Sequence, residues 1–237
     1  MRNKIIVANQ KMLVKSFDEV KNFVYNFKYK DKVIICPSSI YLQYFAQNGY
    51  NIAIQNIHFE DSGSYTGEIS INQAKDIGVS YTIIGHSERR KYFNETDEII
   101  NKKIKSCIKN NMNFILCIGE NLLDYKSGKS QEAIKNQLIK AFDGIEIPRD
   151  AIIAYEPTWS IGTGEALSVL EIESIVGFIR DFINDNFKKS VKVLYGGSVS
   201  DDNIEEIKKV VNIDGILVGE TSVFSSKLSK VVEVVSL

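Results

Sequence analysis

The sequence predicts an α/β fold, a (β/α)8 barrel of eight parallel strands ringed by helices. Two observations carry that expectation. Short Val/Ile-rich runs that end in a polar residue or glycine recur eight times along the 237 residues, and amphipathic helical patterns lie between them. Strands that are apolar on both faces belong to parallel sheets covered by helices, and eight such βα units close naturally into a barrel. Periodicity alone does not show closure, so an open doubly wound sheet is the alternative.

In chain order the strand runs are "KIIVAN" (4–9), "KVIICP" (32–37), "NIAIQN" (51–56) and "YTIIGH" (81–86) in the first half. "NFILCIGE" (113–120), "AIIAYE" (151–156), "VKVLYGG" (191–197) and "GILVGE" (215–220) follow. After the first strand, Ser16 and Glu19 are spaced as a capping box, and Val20, Phe23, Val24 and Phe27 then recur on one helix face. After the sixth, Ser168 and Glu171 repeat the device before Ile172, Ile175, Val176, Ile179 and Ile183. Residues 57–67, "IHFEDSGSYTG", make a connection longer than the roughly 2–6 residues usual after a strand of this kind.

Composition limits what these elements can serve. At 44% hydrophobic and 25% charged, the chain reads as one globular domain over residues 1–237, with no proline- or serine-rich linker or charge block to divide it. Its 29 basic and 30 acidic side chains nearly balance, and the basic stretches are short, so neither a nucleic-acid partner nor a polybasic membrane anchor is expected. No run is long enough for a signal peptide or membrane span, which points to the cytoplasm. Cys36, Cys107 and Cys117 are far apart without a CxxC, and His58 and His86 are the only histidines, so neither a disulfide framework nor a Cys/His zinc site is supported.

In a barrel of this kind the active site lies at the carboxyl ends of the strands. Reading those ends gives Asn9-Gln10-Lys11, His86, Cys117, Glu120, Glu156, Gly196-Gly197-Ser198 and Gly219-Glu220. An amine, an imidazole and a carboxylate thus converge on one rim with several glycines. Each has a plainer use: Glu156 as a cap or a partner of Lys11, His86 as a structural residue, Cys117 as a small core side chain, and the glycines as turn residues. Their occurrence together favours a site.

"NQK" (9–11), "QN" (55–56), "SYTGEIS" (64–70), "IIGHSERR" (83–90), "CIGE" (117–120), "AYEPTWSIGTGEA" (154–166), "YGGSV" (195–199) and "DGILVGE" (214–220) resemble, in order, the signatures of the triosephosphate isomerase family. The resemblance spans almost the whole chain. It implies interconversion of dihydroxyacetone phosphate and glyceraldehyde 3-phosphate, in glycolysis and gluconeogenesis, with no cofactor and no metal.

Such a reaction needs a base for the proton next to the carbonyl and a means of stabilising the enediolate. Glu156 suits the base, desolvated at the end of its strand. His86 suits the donor to the carbonyl oxygens, with the following "SERRKYF" expected to aim a helix N-terminus at the imidazole and favour its neutral form. Lys11 supplies positive charge. Asn9 and Glu88 would hold Lys11 and the oxygens in register, a pairing of Glu88 with Arg89 or Arg90 being the alternative. "PTWSIGTGE" (157–165) reads as a lid that excludes water. The phosphate is expected on backbone donors of Gly162, Ser198, Gly219 and Glu220.

Three residues depart from the family pattern. Gln10 stands where tryptophan is common, and its side chain is expected to point away from the site. Glu165 and Glu220 add negative charge near a dianionic phosphate, so the Glu220 carboxylate is expected to turn to solvent at the start of the final helix. The resemblance also implies a homodimer, with residues 57–67 inserted into a partner and Thr66 supporting the other site. A Schiff-base aldolase is disfavoured because no strand core holds a lysine, and a non-enzymatic binding barrel has no need of Asn9, Lys11, His86 and Glu156 on one rim.

Overall fold

A computed structural model describes residues 4–160 and 167–236. Its strands are β1 (Ile5–Asn9), β2 (Ile34–Cys36), β3 (Asn51–Ile54), β4 (Tyr81–Ile84), β5 (Asn113–Ile118), β6 (Ile152–Tyr155), β7 (Lys192–Tyr195) and β8 (Gly215–Val218). All pair in parallel with their sequence neighbours, and β8 pairs back onto β1 with Val7 opposite Leu217. That last ladder closes the barrel and removes the open doubly wound sheet.

Ten α-helices are described around it: α1 (Phe17–Asn26), α2 (Leu42–Gln47), α3 (Ile71–Asp76), α4 (Ser87–Tyr92), α5 (Asp97–Lys109), α6 (Leu122–Lys126), α7 (Ser130–Ala141), α8 (Val169–Phe187), α9 (Ile204–Ile207) and α10 (Ser225–Ser236). The two expected caps differ in detail. Ser168 and Glu171 form the full reciprocal box at α8. Ser16 accepts the Glu19 N–H, but the Glu19 carboxylate accepts from Lys15 instead, so only half of that box forms. Phe27 lies just beyond the end of α1, in extended backbone, and is still buried.

Alternation along each strand splits the core in two. Val7, Ile34, Cys36, Ala53, Ile83, Ile115, Cys117, Ile152, Ala154, Leu194 and Leu217 fill the barrel interior. Their neighbours, such as Ile6, Ile35, Ile84, Leu116, Ile153 and Tyr195, pack outward under the helices.

Candidate active site

Strand parity decides which side chains reach the mouth. In β6, Ile152 and Ala154 point into the barrel, so Glu156 continues the inner row. The same count brings Asn9 after Val7, Gly196 after Leu194 and Gly219 after Leu217. His86 breaks the count, because Ile83 is the inward residue of β4. Gly85 resolves this with a φ of +70° that turns the chain, and His86 becomes the N-cap of α4 at the mouth. A Cβ at Gly85 would sit 2.9 Å from Ile100 Cδ1 and 3.2 Å from the Cys117 carbonyl oxygen, so glycine is required there for space as well as for φ.

A cavity of about 360 Å³ opens at this end, with Lys11, His86, Glu156, Ser198, Gly219 and Glu220 among its lining residues. Glu156 is 1% exposed, and its N–H donates to the Ile118 carbonyl at 2.7 Å, extending the β5–β6 ladder to the carboxylate itself. Oε2 accepts from the Ser87 N–H at 3.4 Å, while Oε1 lies 3.3 Å from His86 Nε2. No donor is aligned on Oε1 among the described residues, which leaves that oxygen free to take a proton. Gly196 sits against the carboxylate, where a Cβ would come within 2.9 Å of Glu156 Cγ.

The Glu88 N–H donates to His86 Nδ1 at 3.3 Å, so the proton of the neutral ring is on Nε2, the nitrogen that faces Glu156. Lys11 has a φ of +52°, and its N–H donates to Asn9 Oδ1 at 3.1 Å. Its ammonium pairs with Glu88 at 2.8 Å. Arg89 and Arg90, the alternative partners of Glu88, are taken by Glu95 and Asp97 at 2.6 Å each. Asn9 is buried beneath the cavity and not among its lining residues. Gln10 turns from the mouth, donating to the Ser222 carbonyl at 3.3 Å.

Glu220 is exposed and begins a 3-10 turn, Glu220–Val223, that precedes α10. This corrects the expectation that it starts the final helix: the chain makes a separate turn before Ser225. Gly162 and Glu165, with the expected lid tip, lie outside the described residues. Among the described residues, no group of three or more His, Cys, Asp or Glu side chains is arranged to hold a metal ion.

The sequence does not reveal the supporting contacts of several residues. Gln55 donates to the Lys11 and Cys36 carbonyls at 2.8 and 2.9 Å, and the Ser38 hydroxyl donates to the Lys11 carbonyl at 3.0 Å, which together pin the strained lysine. Glu120 is legible in the sequence as a strand end and as the last residue of "CIGE" (117–120). It accepts from the Tyr155 hydroxyl at 3.1 Å and from Trp159 Nε1 at 3.2 Å, anchoring the segment that follows Glu156. Cys117 is not merely filling, since the neighbouring Glu156 carboxylate adds to burial in raising its thiol pKa.

A buried carboxylate with one free oxygen, an imidazole beside it and an ammonium across a glycine-lined hollow suit proton transfer on a small anionic molecule. On fold and site together, the chain falls within the (β/α)8 barrel enzymes of acid–base chemistry. The family is narrower still. Residues 4–235 match the family model of triosephosphate isomerase. The triosephosphate isomerase of Alkaliphilus oremlandii is 42% identical, with 94% of this chain and 95% of that protein covered. That of Malacoplasma penetrans is 39% identical over 97% and 98%, and that of Thermodesulfovibrio yellowstonii 40% identical over 98% and 100%. The chain belongs to the triosephosphate isomerase family.

Proposed function

We propose that Glu156, His86 and Lys11 carry the interconversion of dihydroxyacetone phosphate and D-glyceraldehyde 3-phosphate, a step of glycolysis and gluconeogenesis. The 3.3 Å approach of Glu156 to His86 on the wall of a cavity that also holds Lys11 is the observation that supports this reading. Glu156 removes a proton from the carbon next to the carbonyl, and the electron pair moves into an enediolate. The Nε2–H of His86 donates to the carbonyl oxygen and passes a proton between the two oxygens. Lys11 offsets the negative charge that builds up. Glu156 then returns its proton to the neighbouring carbon. The phosphate rests on backbone N–H groups of Gly162, Ser198, Gly219 and Glu220. No cofactor or metal enters the scheme.

A coupled assay of glyceraldehyde 3-phosphate isomerisation tests this directly. Turnover is expected to be unchanged by chelators, and strict metal dependence overturns the scheme.

The working form is a homodimer joined through residues 57–67, acting as one domain over residues 1–237 in the cytoplasm, without nucleic-acid or membrane partners. Residues 62–68 are exposed, and Tyr65 in that loop and Met12 beside Lys11 are 46% and 91% exposed, apolar surface that a second subunit would cover. Among the described residues, no helix is long and apolar enough to cross a membrane. Deleting 59–65 should give a folded, feebly active monomer in sedimentation. A fully active monomer overturns the dimer requirement.

A further inference from the structure

Gly85 is held as firmly as it is turned. Its N–H donates to Glu95 Oε1 at 3.1 Å, and its carbonyl accepts from Arg90 Nε at 2.8 Å. The two peptide groups that lead into His86 are therefore gripped one after the other by ionised side chains. Both grips are themselves fixed. Glu95 Oε2 accepts from Arg89 Nε at 2.6 Å and from Lys103 Nζ at 2.8 Å, and Arg90 Nη1 donates to Asp97 at 2.6 Å. Lys103 also donates to Asn56 Oδ1 at 2.6 Å, in the connection that follows β3.

Glu95 and Lys103 are each 4% exposed. Burying such a pair is a poor way to gain stability, because well-packed apolar side chains of similar volume often serve as well or better. What the charges supply here is geometry. His86 is off the inward row of β4 and reaches the mouth only through the Gly85 turn, so any rotation of the Gly85 peptides moves the imidazole. A misplacement of about 1 Å at reacting groups costs on the order of a hundredfold in rate.

We infer that Glu95 and Arg90 are positioning residues for His86, acting through the N–H and C=O of Gly85, with Lys103 and Arg89 holding the Glu95 carboxylate in place. The inference rests on the reading of His86 as the proton-transferring imidazole.

The test compares two double variants that avoid a lone buried ammonium. Glu95→Gln/Lys103→Met keeps an acceptor for the Gly85 N–H, and Glu95→Leu/Lys103→Met removes it at similar volume. The Gln pair is expected to keep kcat within about threefold of the parent, whereas the Leu pair loses about tenfold or more with KM little changed. The 15N resonances of the His86 imidazole should shift in the Leu pair alone. Equal activity in the two pairs, or a loss of activity with unmoved His86 resonances, overturns the inference. If the Leu pair does not fold, Arg90→Lys carries the test: it keeps the charge and loses the Nε donor, and unmoved resonances there overturn the inference equally. His86→Asn separates the two questions. Unchanged kcat in that variant removes the catalytic reading, while the nitrogen resonances still decide whether Gly85 is a positioning clamp.

Discussion

Oε1 of Glu156 lies 3.3 Å from Nε2 of His86, and the carboxylate's second oxygen is tied to the Ser87 N–H. One residue pair thus places a base and a proton carrier on the same small stretch of cavity wall. Glu156→Gln preserves the shape and the Ser87 contact while removing basicity. It should cut kcat by on the order of 10³, within the range of a lost general base, with far-ultraviolet circular dichroism unchanged. Wild-type kcat in that variant takes the base role away from Glu156.

Glu220 stands exposed at the cavity edge, in the first position of a 3-10 turn. A carboxylate in solvent repels a phosphate weakly, and the repulsion is screened over about 8 Å at physiological salt. Glu220→Gln is expected to lower KM slightly with kcat unchanged, and the difference should fade as salt rises. A drop in KM of about tenfold or more would mean that the carboxylate faces the phosphate directly, since that much binding energy is beyond a screened surface charge.

Cys36, Cys107 and Cys117 are all fully buried. Burial raises the Cys107 thiol to about 12 and pushes those of Cys36 and Cys117 well above the ordinary cysteine value. Thiolates are the reactive form, so the native protein should resist a disulfide reagent near pH 8 and release thiol only as it unfolds. Rapid stoichiometric labelling of native protein would mean that the barrel opens locally.

Burial pushes the Glu95 carboxyl up, but Lys103 and Arg89 together outweigh it and hold the group below the usual glutamate range. A carboxyl whose folded value lies below its unfolded value near about 4.3 stabilises the fold above that value. The contribution is lost as pH falls through the folded value. Calorimetry from about pH 6 to pH 3 should therefore show Tm falling more steeply in the parent than in Glu95→Gln/Lys103→Met. Parallel curves would mean that Glu95 gains nothing from its partners.

Much of this was legible because a parallel barrel writes its strands as apolar runs and its mouth as the residues that end them. Lys11, Glu156, Gly196 and Gly219 follow from that rule alone. His86 was legible as a strand end, but its delivery to the mouth was not, since it depends on the φ of Gly85. Glu95 and Lys103 lie in "NETDEIINKKIKS" (94–106), where charges look like those of any solvated helix face. Only the packing of α5 against β4 and β5 reveals that two of them are buried. The half-formed cap at Ser16 has a similar cause. Spacing specifies which groups can meet, and the Lys15 N–H lay within reach of the same carboxylate.

The ladder between β1 and β8 has a consequence for how the molecule comes into being. Val7 meets Leu217 only after some two hundred intervening residues exist. At roughly 5–20 residues per second on the ribosome, the first strand waits on the order of ten seconds or more for its last neighbour. Lys11 waits with it, because a Cβ at Gly219 would lie 3.3 Å from Lys11 Cε, and that glycine belongs to the final strand's exit. Nascent chains are therefore born with an open, apolar edge and no complete mouth, exposed to aggregation throughout the interval. The enzyme becomes itself only once its eighth strand has been made.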